Sequence, residues 1–250
     1  MSDAFGIDIG GSGIKGAPVD LDTGSFAADR YRIPTPHPST PDAVADTCEE
    51  LIKHFKPADD VPVGITFPAP IKHGTVGFIA NLDQSWKGVN VPQLFSERLG
   101  RTVVAVNDAD AAGYAEAKFG AAVGQEGLVI VTTLGTGIGS AFIFNGQLIP
   151  NTELGHLELD GHVAEHRASA GVRERNEWGF KKWAKKLQKY YSHLDMLFSP
   201  DLIVVGGGVS KDHDQFLPLI SVRCPIVPAT LRNQAGIVGA AALASEGYEG

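Results

Sequence analysis

The sequence predicts an α/β fold of two domains that face each other across a ligand cleft. An apolar strand, a glycine turn and a second strand occur twice, as FGIDIGGSGIKGAPVD at residues 5–20 and as LVIVTTLGTGIGSAFIF at residues 128–144. Elsewhere short apolar runs alternate with helical patterns, the sign of sheets covered by helices. Placed over each other with a one-residue gap, the two units match Ile9 with Leu134, Gly10 with Gly135, Ser12 with Thr136, Gly13 with Gly137 and Ile14 with Ile138. Chance likeness between glycine turns is the alternative. Both units nevertheless carry a hydroxyl followed by Gly-Ile, which reads as two related domains with a ligand between them, where clefts usually lie.

The elements follow in order. Residues 5–9 and 14–19 are two strands of a hairpin, and LDTG at 21–24 is the next turn. The proline-spaced PTPHPSTP is a loop, and Asp42 is the expected N-cap of a helix through Phe55, whose Val44, Cys48, Leu51, Ile52 and Phe55 share one face. Pro57 ends that helix. VPVGITFPAP gives a short strand, RTVVAVND gives another that ends at Asn107 and Asp108, and an alanine-rich helix spans 109–119. After the second hairpin come a lysine-rich helix at 178–197, a strand at 202–205, the turn GGGVSK, an apolar segment at 224–227 and the small-residue helix GIVGAAALAS.

Composition bounds the function. A chain of 250 residues can bury a sizeable core, and a formal charge of -8 argues against non-specific binding to nucleic acid or a membrane surface. Cys48 and Cys224 are too few for a disulfide framework or a Cys-rich zinc site, which fits a reducing cytoplasm. MSDAFGIDIG enters a strand almost at once, so no signal peptide is expected, and no run reaches the ~18 apolar residues of a membrane span.

GTGIGS looks like a dinucleotide fingerprint, but the β-prone AFIF and the Asn145-Gly146 hairpin signal follow it where a helix is needed. Neither turn ends in the Gly-Lys-Ser/Thr of a Walker loop. What remains are hairpin turns whose N–H groups and hydroxyls can wrap a phosphate: Gly10, Gly11, Ser12 and Gly13 in the first, Gly135, Thr136 and Gly137 in the second. Asp8 alternates with Ile7 and Ile9 and so points to the concave side of its turn. A carboxylate beside a phosphate calls for Mg²⁺ between them; the alternative is a strand-end aspartate capping backbone amides. Lys15 either neutralises the transferring phosphoryl group or is solvated on an outer strand face.

Asp108 can accept a proton from a substrate hydroxyl while Asn107 bonds a neighbouring one, although its spacing equally suits an N-cap. In ELGH, Glu153 and His156 can bond vicinal hydroxyls of a sugar, though lone surface polar residues would look the same. His156, His162 and His166 have no supporting cysteine and do not read as a zinc site. KKWAKKLQKYY sets Lys181, Lys185 and Lys189 at i, i+4 and i+8, with Lys182 and Lys186 beside them. These lysines are either a solvated face or, with Arg173 and Arg175, a track for an elongated polyanion.

With DIGGSGIKG, VNDADAAGYAE, TTLGTGIGSA, ELGH and VVGGGVSK in this order, the chain resembles the ROK-type sugar kinases, end to end. FPAPIKHGTVGFIANLDQSWKGV and PIVPATLRNQAGIVGAA resemble the bacterial polyphosphate glucokinases, including those that also accept ATP or mannose. The resemblance implies an actin/hexokinase-like (ribonuclease H-like) two-domain fold with an interdomain cleft, residues 1–107 plus 234–250 forming a small domain and 108–233 a large one. It implies Asp108 as the catalytic base, contacts from Asn81, Asn107, Glu153 and His156 to glucose or mannose, and Mg²⁺ near Asp8. A further sugar-binding glutamate would be Glu165 or Glu174. The family's Cys-rich zinc segment is not recognisable in GHVAEHRASAGVRERNEW, so no structural zinc is expected. The donor would be polyphosphate, held on Lys181, Lys182, Lys185, Lys186 and Lys189, or ATP, whose purine would lie near the third glycine turn at Gly207 and Gly208. The competing readings are an ATP-only sugar or N-acetylsugar kinase and a non-catalytic sugar sensor, whose added helix-turn-helix domain has no room before a turn that begins at residue 10. The chain would act in the cytoplasm as a monomer or homodimer, with no nucleic acid or membrane partner.

Overall fold

Alternation at the start of the chain produces a hairpin in which β1 (Asp3–Gly10) pairs antiparallel with β2 (Gly13–Asp20) and Asp8 stands opposite Lys15. In the computed structural model, which describes residues 3–77, 79 and 82–249, this hairpin founds a mixed sheet. Two short strands, β3 (Ser25–Phe26) and β4 (Tyr31–Ile33), pair with β2. On the other side β5 (Val63–Phe67) runs parallel to β1. A small hairpin of β6 (Ile71–Lys72) and β7 (Thr75–Val76) follows, and β8 (Val103–Asn107) runs parallel to β5. The order is β3-β2-β1-β5-β8, with β4 also on β2.

The helix α1 (Pro41–Phe55) is capped by Thr40 and not by Asp42. Thr40 Oγ1 accepts the Ala43 N–H, and Pro41 takes the first helical position, where a missing N–H costs nothing; Asp42 then sits in the first turn. Nine residues make α2 (Val91–Leu99), capped by Asn90, with only Val91 and Phe95 buried. That pattern is too short to announce a helix by its period. The helix α3 (Asp108–Phe119) leaves the end of β8 directly. The chain divides into two units, Met1–Ala111 with Gln234–Gly250, and Ala112–Asn233.

The second unit repeats the strand plan of the first. Its β9 (Leu128–Leu134) and β10 (Ile138–Phe144) form the glycine-turn hairpin, and β11 (Gln147–Ile149) extends it after the Asn145-Gly146 turn. A two-stranded ribbon, β12 (Glu158–Leu159) and β13 (His162–Val163), leads into α4 (Glu165–Ala168), α5 (Ala170–Arg175) and the long α6 (Phe180–Phe198). Then β14 (Leu202–Gly206) runs parallel to β9, and β15 (Ile226–Pro228) parallel to β14, in the order β11-β10-β9-β14-β15. In each sheet a hairpin is followed by two parallel strands on the same side. Trp183, Leu187, Tyr190, Tyr191 and Leu194 make the buried face of α6, and the Tyr191 hydroxyl bonds Thr132 Oγ1 on β9 at 2.8 Å. Among the described residues no helix is long and apolar enough to cross a membrane.

The closing helix, α7 (Ala235–Ser245), belongs to the first unit. It is buried nearly all round, as its run of Ile, Val and Ala requires. Its backbone reaches β1 and β5 because glycines face it: a Cβ built on Gly64 would stand 1.9 Å from the Ala240 carbonyl oxygen, and one on Gly6 would stand 2.1 Å from that of Ile237. A backbone oxygen cannot swing aside as a side chain can. Gly64→Ala should therefore destabilise the fold by about 3 kcal/mol, the upper range for overpacking, read as a shifted denaturant midpoint; an unchanged midpoint would mean that the helix can retreat freely.

Candidate active site

At the first glycine turn, the alternation of β1 sends Ile7 and Ile9 into the core and leaves Asp8 on the other face. Lys15 Nζ bonds Asp8 Oδ2 at 3.1 Å, and Thr66 Oγ1 bonds Asp8 Oδ1 at 2.8 Å. Asp8 thus holds two side chains and, among the described residues, caps no backbone amide, and Lys15 is paired with it, not solvated on an outer face. Gly11 and Ser12 are exposed at the tip, and the Thr35 hydroxyl and the Arg32 guanidinium hold the carbonyls of Gly10 and Ser12. Gly236, near the start of α7, also approaches the Asp8 carboxylate.

The end of β8 settles a second question of capping. Asn107 Oδ1 accepts the N–H groups of Ala109 at 2.9 Å and Asp110 at 3.2 Å, so Asn107 caps α3. Asp108 is the first helical residue, and its exposed carboxylate bonds the Ala109 N–H at 2.8 Å. The cap that spacing offered to Asp108 is taken one residue earlier. Asn107 keeps its amide Nδ2 outside that cap.

In the second unit, Ser140 positions the ELGH loop. Its Oγ donates to the Thr152 carbonyl at 2.9 Å and accepts the Leu154 N–H at 3.0 Å, which fixes the backbone on both sides of Glu153. ELGH is a short 3₁₀ turn, Leu154–His156, and His156 Nε2 lies 3.7 Å from Glu153 Oε2. Glu165, at the start of α4, accepts the Ile138 N–H at 3.1 Å just after the second glycine turn. Gly135 and Thr136 are exposed at the tip of that turn, whose Gly135 N–H bonds the Gly137 carbonyl at 3.0 Å. Gly207, with φ of +84°, lies against the backbone of Leu134, so the third glycine turn supports the base of the second, and Gly208 opens the 3₁₀ stretch Gly208–Gln215.

The structure therefore brings Glu153, His156 and Glu165 to one neighbourhood beside the second turn, and leaves Glu174 exposed on α5 without a part in it. Asn81 lies outside the described residues. The lysines of α6 divide: Lys181 and Lys185 are exposed, Lys182 and Lys186 lie over the Trp178 ring at 4.8 and 5.8 Å, and Lys189 pairs with Asp160. Arg173, expected beside them on a surface track, instead stacks on Phe180 with its guanidinium carbon 3.9 Å from the ring centre. A cation on an aromatic face gains from the ring's quadrupole, which explains the inward turn.

Two residues of the first site escaped the sequence reading. Thr66 had a signal, as the one polar side chain of VGITF. Arg32 had none, because its place depends on the pairing of a three-residue strand. Asp8 is also the one carboxylate of the first turn. Two of its roughly four lone-pair sites serve Lys15 and Thr66, which suits a hard cation such as Mg²⁺ that draws its other ligands from phosphate oxygens and water.

The sequence and the fold match known proteins. Residues 4–176 match the family model described as the ROK family. The chain is 50% identical over 238 residues to a polyphosphate glucokinase of Mycobacterium tuberculosis, covering 95% of this chain and 89% of that protein. The crystal structure of an inorganic polyphosphate/ATP-glucomannokinase from Arthrobacter sp. strain KM superposes with a TM-score of 0.94 at 52% identity, over 99% of this chain and 100% of that one. A ROK family glucokinase from Streptomyces griseus, in complex with glucose and AMPPNP, gives 0.84 at 26% identity, over 98% and 99%. The expected actin/hexokinase-like α/β fold is borne out by these matches.

Burial raises the Glu153 carboxyl above its ordinary value, with His156 opposing the rise and Glu165 adding to it. A carboxyl raised in the folded state costs stability only once ionised. The cost is absent below the ordinary carboxylate range and grows as pH climbs through the window up to the raised value. Glu153→Gln should accordingly melt at a higher temperature than wild type at neutral pH and converge with it near pH ~4 in calorimetric scans. A gap that does not change with pH would refute the burial argument.

Proposed function

The chain belongs to the ROK family, and we propose that it is a sugar kinase that transfers the terminal phosphoryl group of inorganic polyphosphate, and also of ATP, to the 6-hydroxyl of glucose. The observation that carries this is likeness along almost the whole chain to a polyphosphate glucokinase and a polyphosphate/ATP-glucomannokinase. The second of these makes mannose the next acceptor to expect. The protein acts in the cytoplasm, as a monomer or homodimer.

Asp108 takes the proton of the 6-hydroxyl as that oxygen attacks phosphorus. Its place supports the role, since Asp108 is the first residue of α3, directly after β8, with an exposed carboxylate next to Asn107. Asn107 Nδ2, Glu153, His156 and Glu165 bond the remaining ring hydroxyls, and Asn81 adds a further contact. Glu165 is preferred to Glu174 because it alone neighbours Glu153. The N–H groups of residues 10–13 and 135–137 hold phosphoryl oxygens, the largest kind of contribution in a reaction that depends on positioning and charge. Mg²⁺, held through Asp8, would neutralise charge on the transferring group.

An ATP-only kinase is the second reading, favoured by the fold shared with the glucokinase crystallised with AMPPNP. Glucose 6-phosphate formation, assayed with Mg²⁺ and with polyphosphate and ATP supplied separately, decides between them; turnover with ATP alone would leave the second. Mannose and N-acetylglucosamine as parallel acceptors rank the sugars. Asp108→Asn should lower kcat by about 10² or more, the scale for losing a positioned base, and near-normal turnover would remove Asp108 from the chemistry. Polyphosphate carries no base or ribose, so its KM should rise steeply with salt and rise again when Lys181 and Lys185 become alanine. A KM indifferent to both would reject the lysine track.

A further inference from the structure

One face of the first sheet carries a row of polar side chains across four strands. Thr66 on β5 is the register partner of Asp8 on β1, Asp8 that of Lys15 on β2, and Lys15 that of Arg32 on β4. Lys15 and Arg32 are like charges directly opposite each other, an arrangement that destabilises a sheet. Asp8 offsets one of them through its ion pair with Lys15. The row therefore carries one cation in excess, and among the described residues no carboxylate pairs with Arg32.

The Arg32 side chain is also aimed. One terminal nitrogen donates to the Ser12 carbonyl, which draws the guanidinium over the glycine turn. A Cβ built on Gly13 would stand 2.4 Å from Arg32 Nε and 2.6 Å from its guanidinium carbon, so the planar group lies flat against a residue that has no side chain to displace it. A guanidinium has five N–H donors and the Ser12 carbonyl uses one terminal nitrogen, which leaves a fork that matches phosphate oxygens.

We propose that Arg32 is a donor-binding residue of the first glycine turn, whose guanidinium grips the phosphate chain and favours inorganic polyphosphate over ATP. The inference rests on the proposed function and names a residue that selects the donor. An excess cation opposite a lysine is tolerated when an anion is to be bound between the strand face and the turn. ATP has a base and ribose for other contacts, whereas polyphosphate has only phosphates, so the loss of one phosphate contact weakens polyphosphate more.

The test compares wild type, Arg32→Ala and Arg32→Lys, with KM for polyphosphate, ATP and glucose, calorimetric titration of polyphosphate, and Tm. Arg32→Ala should raise KM and Kd for polyphosphate about tenfold or more, the scale of a charge-assisted contact, and raise KM for ATP less than about threefold. Glucose KM should stay as it is and Tm should not fall, because the like-charge pairing with Lys15 is relieved, and Arg32→Lys, which keeps the charge and loses the fork, should give intermediate donor constants. A polyphosphate KM within about twofold of wild type in Arg32→Ala, or an equal rise for both donors, would overturn the proposal. So would a loss of Tm with a matching rise in glucose KM, because the arginine would then only hold the turn. No wild-type turnover of polyphosphate would reject the functional reading itself, whereas wild-type turnover that Arg32→Ala leaves intact would reject the role of Arg32 alone.

Discussion

The first site depends on the register of one hairpin. Because side chains alternate across a strand, a slip of one residue between β1 and β2 would carry every side chain to the other face. The register Asp8 opposite Lys15 puts Ile7, Ile9 and Ile14 into the core and the ion pair outside it. Apolar burial and the charge pairing thus demand the same alignment. Burying three isoleucine side chains is worth about 1.5–3 kcal/mol each, more than an ion pair about a quarter exposed contributes, so the core sets the register and the chemistry follows from it.

That hierarchy explains what could be read from the sequence. The faces of β1, the two glycine hairpins and the buried side of α6 are written as periodicity, which is local and needs no partner. Capping is finer. Thr40 and Asp42, or Asn107 and Asp108, are all good capping types one or two residues apart, and the winner depends on where the preceding loop or strand releases the chain. Contacts set by pairing at a distance were not legible at all: Arg32 reaches the turn only because β4 joins β2, and Arg173 turns inward only because Phe180 is there to receive it. Glu165 and Glu174 lie in one short polar segment, and only the packing of α4 beside Ile138 tells them apart.

The repeated strand plan carries two turns of different chemistry. In the first, the strands on either side of the turn bring Asp8, Lys15 and Arg32 into one row. In the second, the matching strands carry no charged side chain, and the charged groups beside the turn arrive from later segments, Glu165 and the ELGH loop. A duplicated scaffold therefore supplies phosphate-sized turns twice. The charges that would hold a cation and an anionic donor stand on the strands of one, while carboxylates suited to hydroxyl groups gather beside the other.

A chain with a net charge of -8 that handles a polyanion must rely on local fields. At physiological ionic strength the Debye length is about 8 Å, so distant acidic residues are screened and the nearest cations decide the potential at a turn. The lysines of α6 act under the same limit. Lys189 is paired with Asp160 and Lys182 and Lys186 lie over the Trp178 ring, so four of the five lysines have no carboxylate partner among the described residues. Cations of this kind cannot alter the reactivity of a terminal phosphoryl group. As a track they would raise the affinity of a long chain by offering many equivalent contacts, an effect that grows with the number of phosphates and is small for a triphosphate. Under that proposal chain-length preference and chemistry would be governed by different residues, set apart by charge and distance.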